Sequence, residues 1–526
     1  MNNISILDCT LRDGGYCNQW RFGFDNIKRI AAGLVEANVE IIECGFITNK
    51  VESDPDISKY LSFDEAKKII PQNRLGKMFV AMINYGEYNI EDIPVCDDSS
   101  IDGVRVAFHK RDLTGALDFC KKVKEKGYKV FIQAMVSLNY SDEEFLSLIQ
   151  NVNSFNPYAF YIVDSFGMMK EKDLTRLFYL VENNLNETIW IGFHSHNNMQ
   201  LAYSNAQKLT MIKTNRNLII DSSIYGMGRG AGNLNTELFV EYLNDNAGKH
   251  YQLKPILFLI DTILNQFYQN SYWGYSLPNY ISASHNAHPN YASFLDDKKT
   301  LTIEAMNEIF DMMDESEKSS FNKQYIEKLY LDYMERERIQ EDHKSELQDA
   351  LLGRKVLLIA PGKSSINEIS KIREFVSKND PVVISINFAF QGVNPDYVFV
   401  SNMRRFDALD DTEKLKCIVT SNIISDGVFF RTDYAGLLNE EATVSDNAGL
   451  MAVKFLFTQG VKTICLAGFD GYSHDEAENY GEKEMAFITR NEVLDSMNDG
   501  MCKVLSLYSK QVEILFVTTP RFISIT

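Results

Sequence analysis

What most restricts the possible folds of this chain is an alternation that runs through its first half. Short, almost uninterrupted apolar runs recur at 41–46, 78–83, 104–108, 130–136, 160–163, 189–193 and 218–224, each followed by residues of helical period. The stretch 25–38 shows that period clearly, with Ile27, Ile30, Ala31, Leu34 and Val35 on one face. With the opening run from Ile4, this makes about eight strand–helix units in the first ~245 residues. Strands apolar on both faces, separated by helices, specify a parallel sheet covered on its outer side. Eight units at this length predict a (β/α)8 TIM barrel, and no Gly-x-Gly-x-x-Gly follows the first strand to favour a dinucleotide fold.

A barrel gathers its chemistry at the C-terminal ends of its strands. Here those ends hold Arg12-Asp13, Glu43 to Phe46, Arg105 to His109, Asp164-Ser165, His194 to Asn198 and residues 225–233. The first run, 4–16, reads as a strand opening into Arg12, Asp13, Gly14, Gly15 and Tyr16. Arg12 offers a fork of donors for an oxyanion, and Asp13 is a hard oxygen ligand for a divalent metal. His194 and His196, two apart in a strand, share one face. Two such imidazoles form a bidentate metal clamp that Asp13 can complete as a facial triad, leaving positions for water or substrate oxygen. A lone His-x-His would read as two satisfied strand-end histidines; Asp13 and the glycine-rich run 226–232 weigh toward metal. Asn233 can reach the metal through its carbonyl or cap the following helix.

The 526-residue length requires more than one domain, and a 45% hydrophobic composition supplies ample core. A net charge of −19 argues against nucleic acid and anionic membrane as partners. No run of about 18 apolar residues predicts a membrane span. The N-terminus enters a strand almost at once, leaving no room for a signal peptide, and the eight scattered cysteines form no C-x-x-C pair. A cytoplasmic protein with free thiols is expected, with a homo-oligomer as its assembly.

The segments Asp8-x-Thr10-Leu11-Arg12-Asp13-Gly14, His194-x-His196-Asn197-Asn198 and Gly230-Ala231-Gly232-Asn233 resemble the metal-dependent TIM-barrel lyases and synthases with an Arg-Asp and His-x-His site. Within them the chain resembles the 4-hydroxy-2-oxovalerate aldolases, also through Arg105-Val106-Ala107-x-His109, Asp164-Ser165, Gly274-Tyr275, Tyr280 and His285. The resemblance covers roughly residues 1 to 300. It implies Mn2+ or Mg2+ on Asp13, His194 and His196, with Asn233 as a further ligand; histidines also suit Zn2+. It implies a metal-chelated 2-oxoacid, Arg12 stabilising its enolate, and a substrate-binding set of Glu43, Arg105 and Ser165. Glu43 also reads as a residue that orients Arg12 or a metal-bound water. One departure matters. Tyr16 stands where these aldolases carry a histidine for the substrate hydroxyl, and a phenol starting near pKa ~10 needs a cation or metal to help it. Tyr275 is a second acid–base candidate, or an aromatic packing residue.

Residues 251–352 read as a helical extension and linker, including a charge-dense helix at 333–349. His285 and His288 within it read as turn or helix-cap residues before they read as a second metal site. A new domain is expected over 353–526. The segment Pro361-Gly362-Lys363-Ser364 lacks the first glycine of a P-loop, leaving a strand–Gly–helix start suited to an anion. Strands at 355–360, 382–386, 397–400, 417–420, 463–467 and 512–517, with a helix at 446–459 capped by Ser445, specify an open Rossmann-like sheet. Its polar strand ends resemble sialyltransferase-like and pterin-kinase-like domains of surface-glycan clusters, implying a sugar acid as the aldol substrate or product.

The reading is therefore a divalent-metal-dependent aldolase acting on a 4-hydroxy-2-oxoacid, with a pyruvate-type 2-oxoacid and an aldehyde as partners. The alternatives are a Claisen-type acyltransferase on the same barrel, a non-catalytic metal-retaining scaffold, and a sugar-nucleotide-binding or glycosyltransferase-like second domain. Claisen enzymes usually read Arg-Asp-Gly-Glu-Gln, whereas this chain reads Arg12-Asp13-Gly14-Gly15-Tyr16.

Overall fold

The computed structural model describes residues 3–97, 99–298, 301–335, 343–481 and 491–521. They form two compact units, Met1–Ser293 with Met313–Phe321, and Phe294–Met312 with Asn322–Thr526. The helical stretch 251–352 is thus divided between the two. Part of the charge-dense segment, 336–342, lies outside the described residues.

The first unit is a closed barrel of eight parallel strands: β1 Asn3–Asp8, β2 Ile41–Ile47, β3 Met78–Asn84, β4 Gly103–Phe108, β5 Lys129–Ala134, β6 Ala159–Asp164, β7 Trp190–Ser195 and β8 Asn217–Ser222. Each pairs with the next, and β1 closes the ring. It runs against β8 from Asn3↔Asn217 to Asp8↔Ser222, and against β2 through Leu7↔Ile41 and Asp8↔Ile42. The strands read as continuous apolar runs because both faces are buried. Ile4 and Ile6 of β1 belong to the outer core with Ile27, Ile30 and Leu34 of the helix Phe24–Glu36. Leu7 faces inward with Ile41, Val80, Phe131, Tyr161 and Ile219. Burying each such side chain contributes about 1.5–3 kcal/mol, so the alternation is strongly enforced.

The first strand is shorter than the apolar run suggested. It stops at Asp8, whose carboxylate accepts the Thr10 N–H (2.9 Å) and the Thr236 hydroxyl (2.7 Å). That local turn breaks the ladder and starts a single helical turn, Thr10–Asp13, which carries Arg12 and Asp13. A second turn, Gly15–Asn18, follows. Gly15 is required there because any Cβ would overlap the Trp20 indole, whose Nε1–H donates to the Arg12 carbonyl (2.7 Å).

The second unit contains a seven-stranded parallel sheet of β9 Val356–Ile359, β10 Val382–Ile386, β11 Tyr397–Val400, β12 Cys417–Thr420, β13 Phe430–Thr432, β14 Thr463–Ala467 and β15 Glu513–Phe516. Its spatial order is β13-β12-β11-β10-β9-β14-β15, so the winding reverses between β9 and β14. Two details differ from the sequence expectation. The three-residue edge strand β13 is too short for its pattern to show, and the helix begins later, as Ala448–Thr458. Its cap is Asn447, which accepts the Leu450 N–H (3.2 Å); Ser445 ends a 3-10 turn in helical conformation and cannot cap. Among the described residues, no helix is long and apolar enough to cross a membrane.

Candidate active site

The upper layer of the barrel interior is ionic. Glu43 (β2), Arg105 (β4) and Asp221 (β8) are fully buried. Arg105 donates to Glu43 Oε2 at 2.7 Å, pairs with Asp221 on its other side, and lies 5.0 Å from the Tyr161 ring centroid. Glu43 Oε2 also accepts from Arg12 Nε (2.9 Å), while Arg12 Nη1 donates to Asp13 Oδ1 (2.7 Å). Asp221 Oδ2 meets His194 Nδ1 at 2.9 Å. One ionic chain, Arg12–Glu43–Arg105–Asp221–His194, therefore fixes the first and seventh strand ends relative to each other. Burial lowers the Arg12 guanidinium, but Asp13 and Glu43 outweigh it and keep the group cationic. Burial raises Asp13, yet Arg12, His196, His194 and Arg229 hold its carboxyl well below the usual carboxylate range.

The donors at the centre fit a divalent cation. His194 gives its Nδ1–H to Asp221, which leaves the Nε2 lone pair free, the arrangement that commonly orients a metal-ligating imidazole. His194 Nε2 and His196 Nε2 both lie 3.6 Å from Asp13 Oδ2. Asp13 Oδ2 is buried and finds no hydrogen-bond donor among the described residues. Burial, joined by the Arg229 charge, pushes His196 down to about 3 and keeps its ring neutral as a ligand must be. Asn233 is held beside this group by a backbone bridge to His196, and its Oδ1 is also buried and finds no donor among the described residues. It cannot be the cap of the next helix, which starts at Thr236. Gly228 packs so closely on the Asn233 amide that a Cβ there would collide with it.

Cys9, unforeseen from sequence, joins Asp13 and His194 in a cluster whose potential ligand atoms lie within 4.8 Å of one another. Burial pushes its thiol far up, and its S–H faces the Ser222 carbonyl at 3.2 Å. A protonated thiol is a poor ligand for a hard cation, so Cys9 reads as wall and His196 as the better donor.

Beside the ionic layer opens a cavity of about 370 Å³, lined by Tyr16, Ser165, His109, Arg229 and His288 among others. Tyr16 is 44% exposed and packs edge-on against Trp20, with the Arg229 guanidinium 5.4 Å from its ring centroid. Ser165 follows β6; its hydroxyl accepts the Val136 N–H (2.9 Å) and its carbonyl accepts from Arg229 Nη2 (3.2 Å). Asp164 shapes that loop by accepting the Met168 and Met169 N–H groups at 3.0 Å each, and burial raises its carboxyl to about 6. The structure brings Arg12, Asp13, Glu43, His194, His196 and Asn233 together, with Tyr16 and Ser165 at the rim. Arg105 lies within the barrel as an ionic strut. Tyr275 is 57% exposed and is not among the residues lining the rim cavity. Arg229 and Asp221 were missed from sequence, although an aspartate near the end of an otherwise apolar strand, Leu218-Ile219-Ile220-Asp221, was a visible signal. His288 takes the expected turn or cap role by accepting the Asn290 N–H (3.2 Å), and only its meeting with Arg229 was missed.

Comparison with known proteins falls on this same unit. The family model described as HMGL-like matches residues 3–259. A 4-hydroxy-2-oxovalerate aldolase of Geobacillus genomosp. 3 is 30% identical over 46% of this chain and 70% of its own length. One from Pseudoalteromonas translucida (strain TAC 125) is 26% identical over 47% of this chain and 71% of its own. An oxaloacetate decarboxylase of Mycobacterium tuberculosis (strain ATCC 25618 / H37Rv) is 25% identical over 45% and 69%. The chain belongs to the HMGL-like family and is a carbon–carbon lyase.

Proposed function

We propose that the barrel is a divalent-metal-dependent aldolase that forms or cleaves a 4-hydroxy-2-oxoacid, with pyruvate or a close 2-oxoacid as its nucleophilic partner. The observation that carries this is the pair of buried, unsatisfied groups at the centre. Arg12 Nη2 has no acceptor and Asp13 Oδ2 no donor among the described residues, and the two belong to adjacent side chains. A cation held by Asp13, His194 and His196, with Asn233 in reach, supplies Lewis-acid polarisation of a bound oxygen; Mn2+ and Mg2+ suit this set, and Zn2+ less well. Arg12 Nη2 supplies a donor for the oxyanion that develops on the 2-oxoacid as its C–C bond changes, with Glu43 holding the guanidinium in place. In cleavage, the Tyr16 oxygen takes the proton of the 4-hydroxyl as the C3–C4 bond breaks, and passes its own phenol proton to water at the rim, where the side chain is 44% exposed. The electron pair passes into the 2-oxoacid enolate, whose methylene carbon then takes a proton from water. In synthesis each transfer reverses.

The reading is tested by solvent-deuterium exchange into the pyruvate methyl group, followed by proton NMR with Mn2+ and then with chelator. Metal-dependent exchange is expected. Its absence in metal-loaded enzyme would move the assignment to another 2-oxoacid or to acyl transfer. Tyr16→Phe is expected to slow aldol turnover by about 10²–10⁴-fold, and full activity would exclude the hydroxyl.

A second reading concerns the second unit, where a cavity of about 240 Å³ adjoins the ends of β9 and β14 at the winding reversal. Ligands of open α/β sheets bind at such switch points. Asp470 already accepts the Ser364 N–H (2.7 Å), so the short helix after β9 has its first turn occupied by the protein's own carboxylate. The first residues of the helix Ala448–Thr458, together with Arg405 and the rings of Tyr472 and Tyr480, line the cavity and suit a sugar nucleotide. Calorimetric titration of the full chain with CMP and UDP tests this. Binding of CMP would favour a sugar acid as the aldol product, and no binding would leave the unit structural.

A further inference from the structure

The aldolase reading leaves the second substrate open, and the rim cavity narrows its chemical class. Two hydrogen-bond donors in the lining of this cavity meet each other instead of an acceptor. His288 Nδ1 accepts the Asn290 N–H (3.2 Å), so the ring carries its proton on Nε2. That Nε2 lies 3.5 Å from Arg229 Nη1, which can only donate. Arg229 Nε is likewise buried and finds no acceptor among the described residues; of the guanidinium's donors, Nη2 reaches the Ser165 carbonyl at 3.2 Å.

The other cations of the rim are already matched. Lys50 pairs with Glu87 at 3.1 Å, and Arg111 lies 3.6 Å from Asp112. Among the described residues, no carboxylate forms an ion pair with Arg229. A half-buried guanidinium with an enclosed, unpaired Nε, set against a carbonyl and the Tyr16 ring and beside an imidazole N–H that meets another donor, is a site for an anionic oxygen. It lies beside Tyr16, three residues from Asp13, where a substrate oxygen handled by the Tyr16 hydroxyl would place the rest of that substrate.

We propose that Arg229 and His288 form the subsite of the electrophile, and that the aldehyde carries an anionic group, a carboxylate or a phosphate. The inference rests on the aldolase reading. Its test pairs aldehydes of similar length with and without charge, using full-length Mn2+-loaded enzyme and pyruvate: succinic semialdehyde against butyraldehyde, and glyceraldehyde 3-phosphate against glyceraldehyde. A charge-assisted pair predicts kcat/KM higher by roughly tenfold or more for the charged member of at least one pair, and which pair responds distinguishes carboxylate from phosphate. Arg229→Met should bring that ratio close to one, Arg229→Lys should keep part of it, and His288→Gln should lower it in an enzyme whose circular dichroism is unchanged. Metal-dependent exchange into pyruvate with no preference for charge would overturn this inference and leave the aldolase reading standing. A raised KM for pyruvate in Arg229→Met, with the aldehyde ratio unmoved, would also overturn it, by assigning Arg229 to the 2-oxoacid carboxylate. No exchange in the metal-loaded wild type with pyruvate or with other 2-oxoacids would overturn both.

Discussion

Side-chain identity at the centre of the barrel is set by what each neighbour leaves unsatisfied. Asp13 has one oxygen committed to Arg12 and the other aimed between two imidazoles, which suits the proposed role of ligand better than that of proton carrier. Asp221 plays the complementary part. By accepting the Nδ1–H of His194 it fixes the tautomer that points Nε2 inward. Asp221→Asn should therefore weaken Mn2+ binding by about 10–100-fold, as loss of an orienting carboxylate typically does. Titration monitored by the electron paramagnetic resonance of free Mn2+ reads this directly, and an unchanged affinity would remove Asp221 from the metal's support. Asp13→Asn removes a proposed ligand itself and is expected to abolish metal-dependent turnover. Retained turnover would sink the site.

Strands and their inward layers carry the next argument. The barrel interior changes character along its axis, from the apolar layer of Leu7, Val80, Phe131 and Ile219 to the ionic layer of Glu43, Arg105 and Asp221. Arg105 is wholly enclosed between two carboxylates. Replacing it with Met would leave Glu43 with Arg12 alone and Asp221 with only the His194 N–H, and breaking a buried pair in this way costs about 3–5 kcal/mol. Urea unfolding of Arg105→Met should show that loss in the barrel transition; a change below about 1 kcal/mol would mean that water or a shifted side chain replaces the guanidinium. These elements also show what the sequence made legible. Eight parallel strands could be read because burial on both faces writes continuous apolar runs, and His194 and His196 could be paired because strand geometry fixes their face. The role of Arg105 could not be read, because a strand-end arginine looks the same whether it meets substrate or spans to Asp221 over a hundred residues away. Arg229 was hidden for a related reason: its partners Ser165 and His288 are contributed by separate loops, and no local spacing encodes their meeting. Tyr275 was proposed from a motif, and its exposure depends on how the post-barrel helices fold, which the motif does not specify.

For the molecule as a whole, the division into two compact units makes a ligand's effect separable. The proposed metal donors Asp13, His194, His196 and Asn233 all belong to the first unit, whereas the cavity at the β9–β14 reversal is lined by the second. A ligand that binds only the folded form stabilises the unit that holds it by RT ln(1 + [L]/Kd), about 2.7 kcal/mol when the free ligand is a hundred times Kd. Saturating Mn2+ should therefore raise the barrel's unfolding transition and chelator should lower it, while the transition of the second unit stays in place. Differential scanning calorimetry with site-specific proteolysis to assign each transition would measure both. A single transition that moves as one would show that the two units unfold cooperatively. A shift confined to the second unit would place the metal away from Asp13 and the two histidines, and the aldolase assignment would lose its central support.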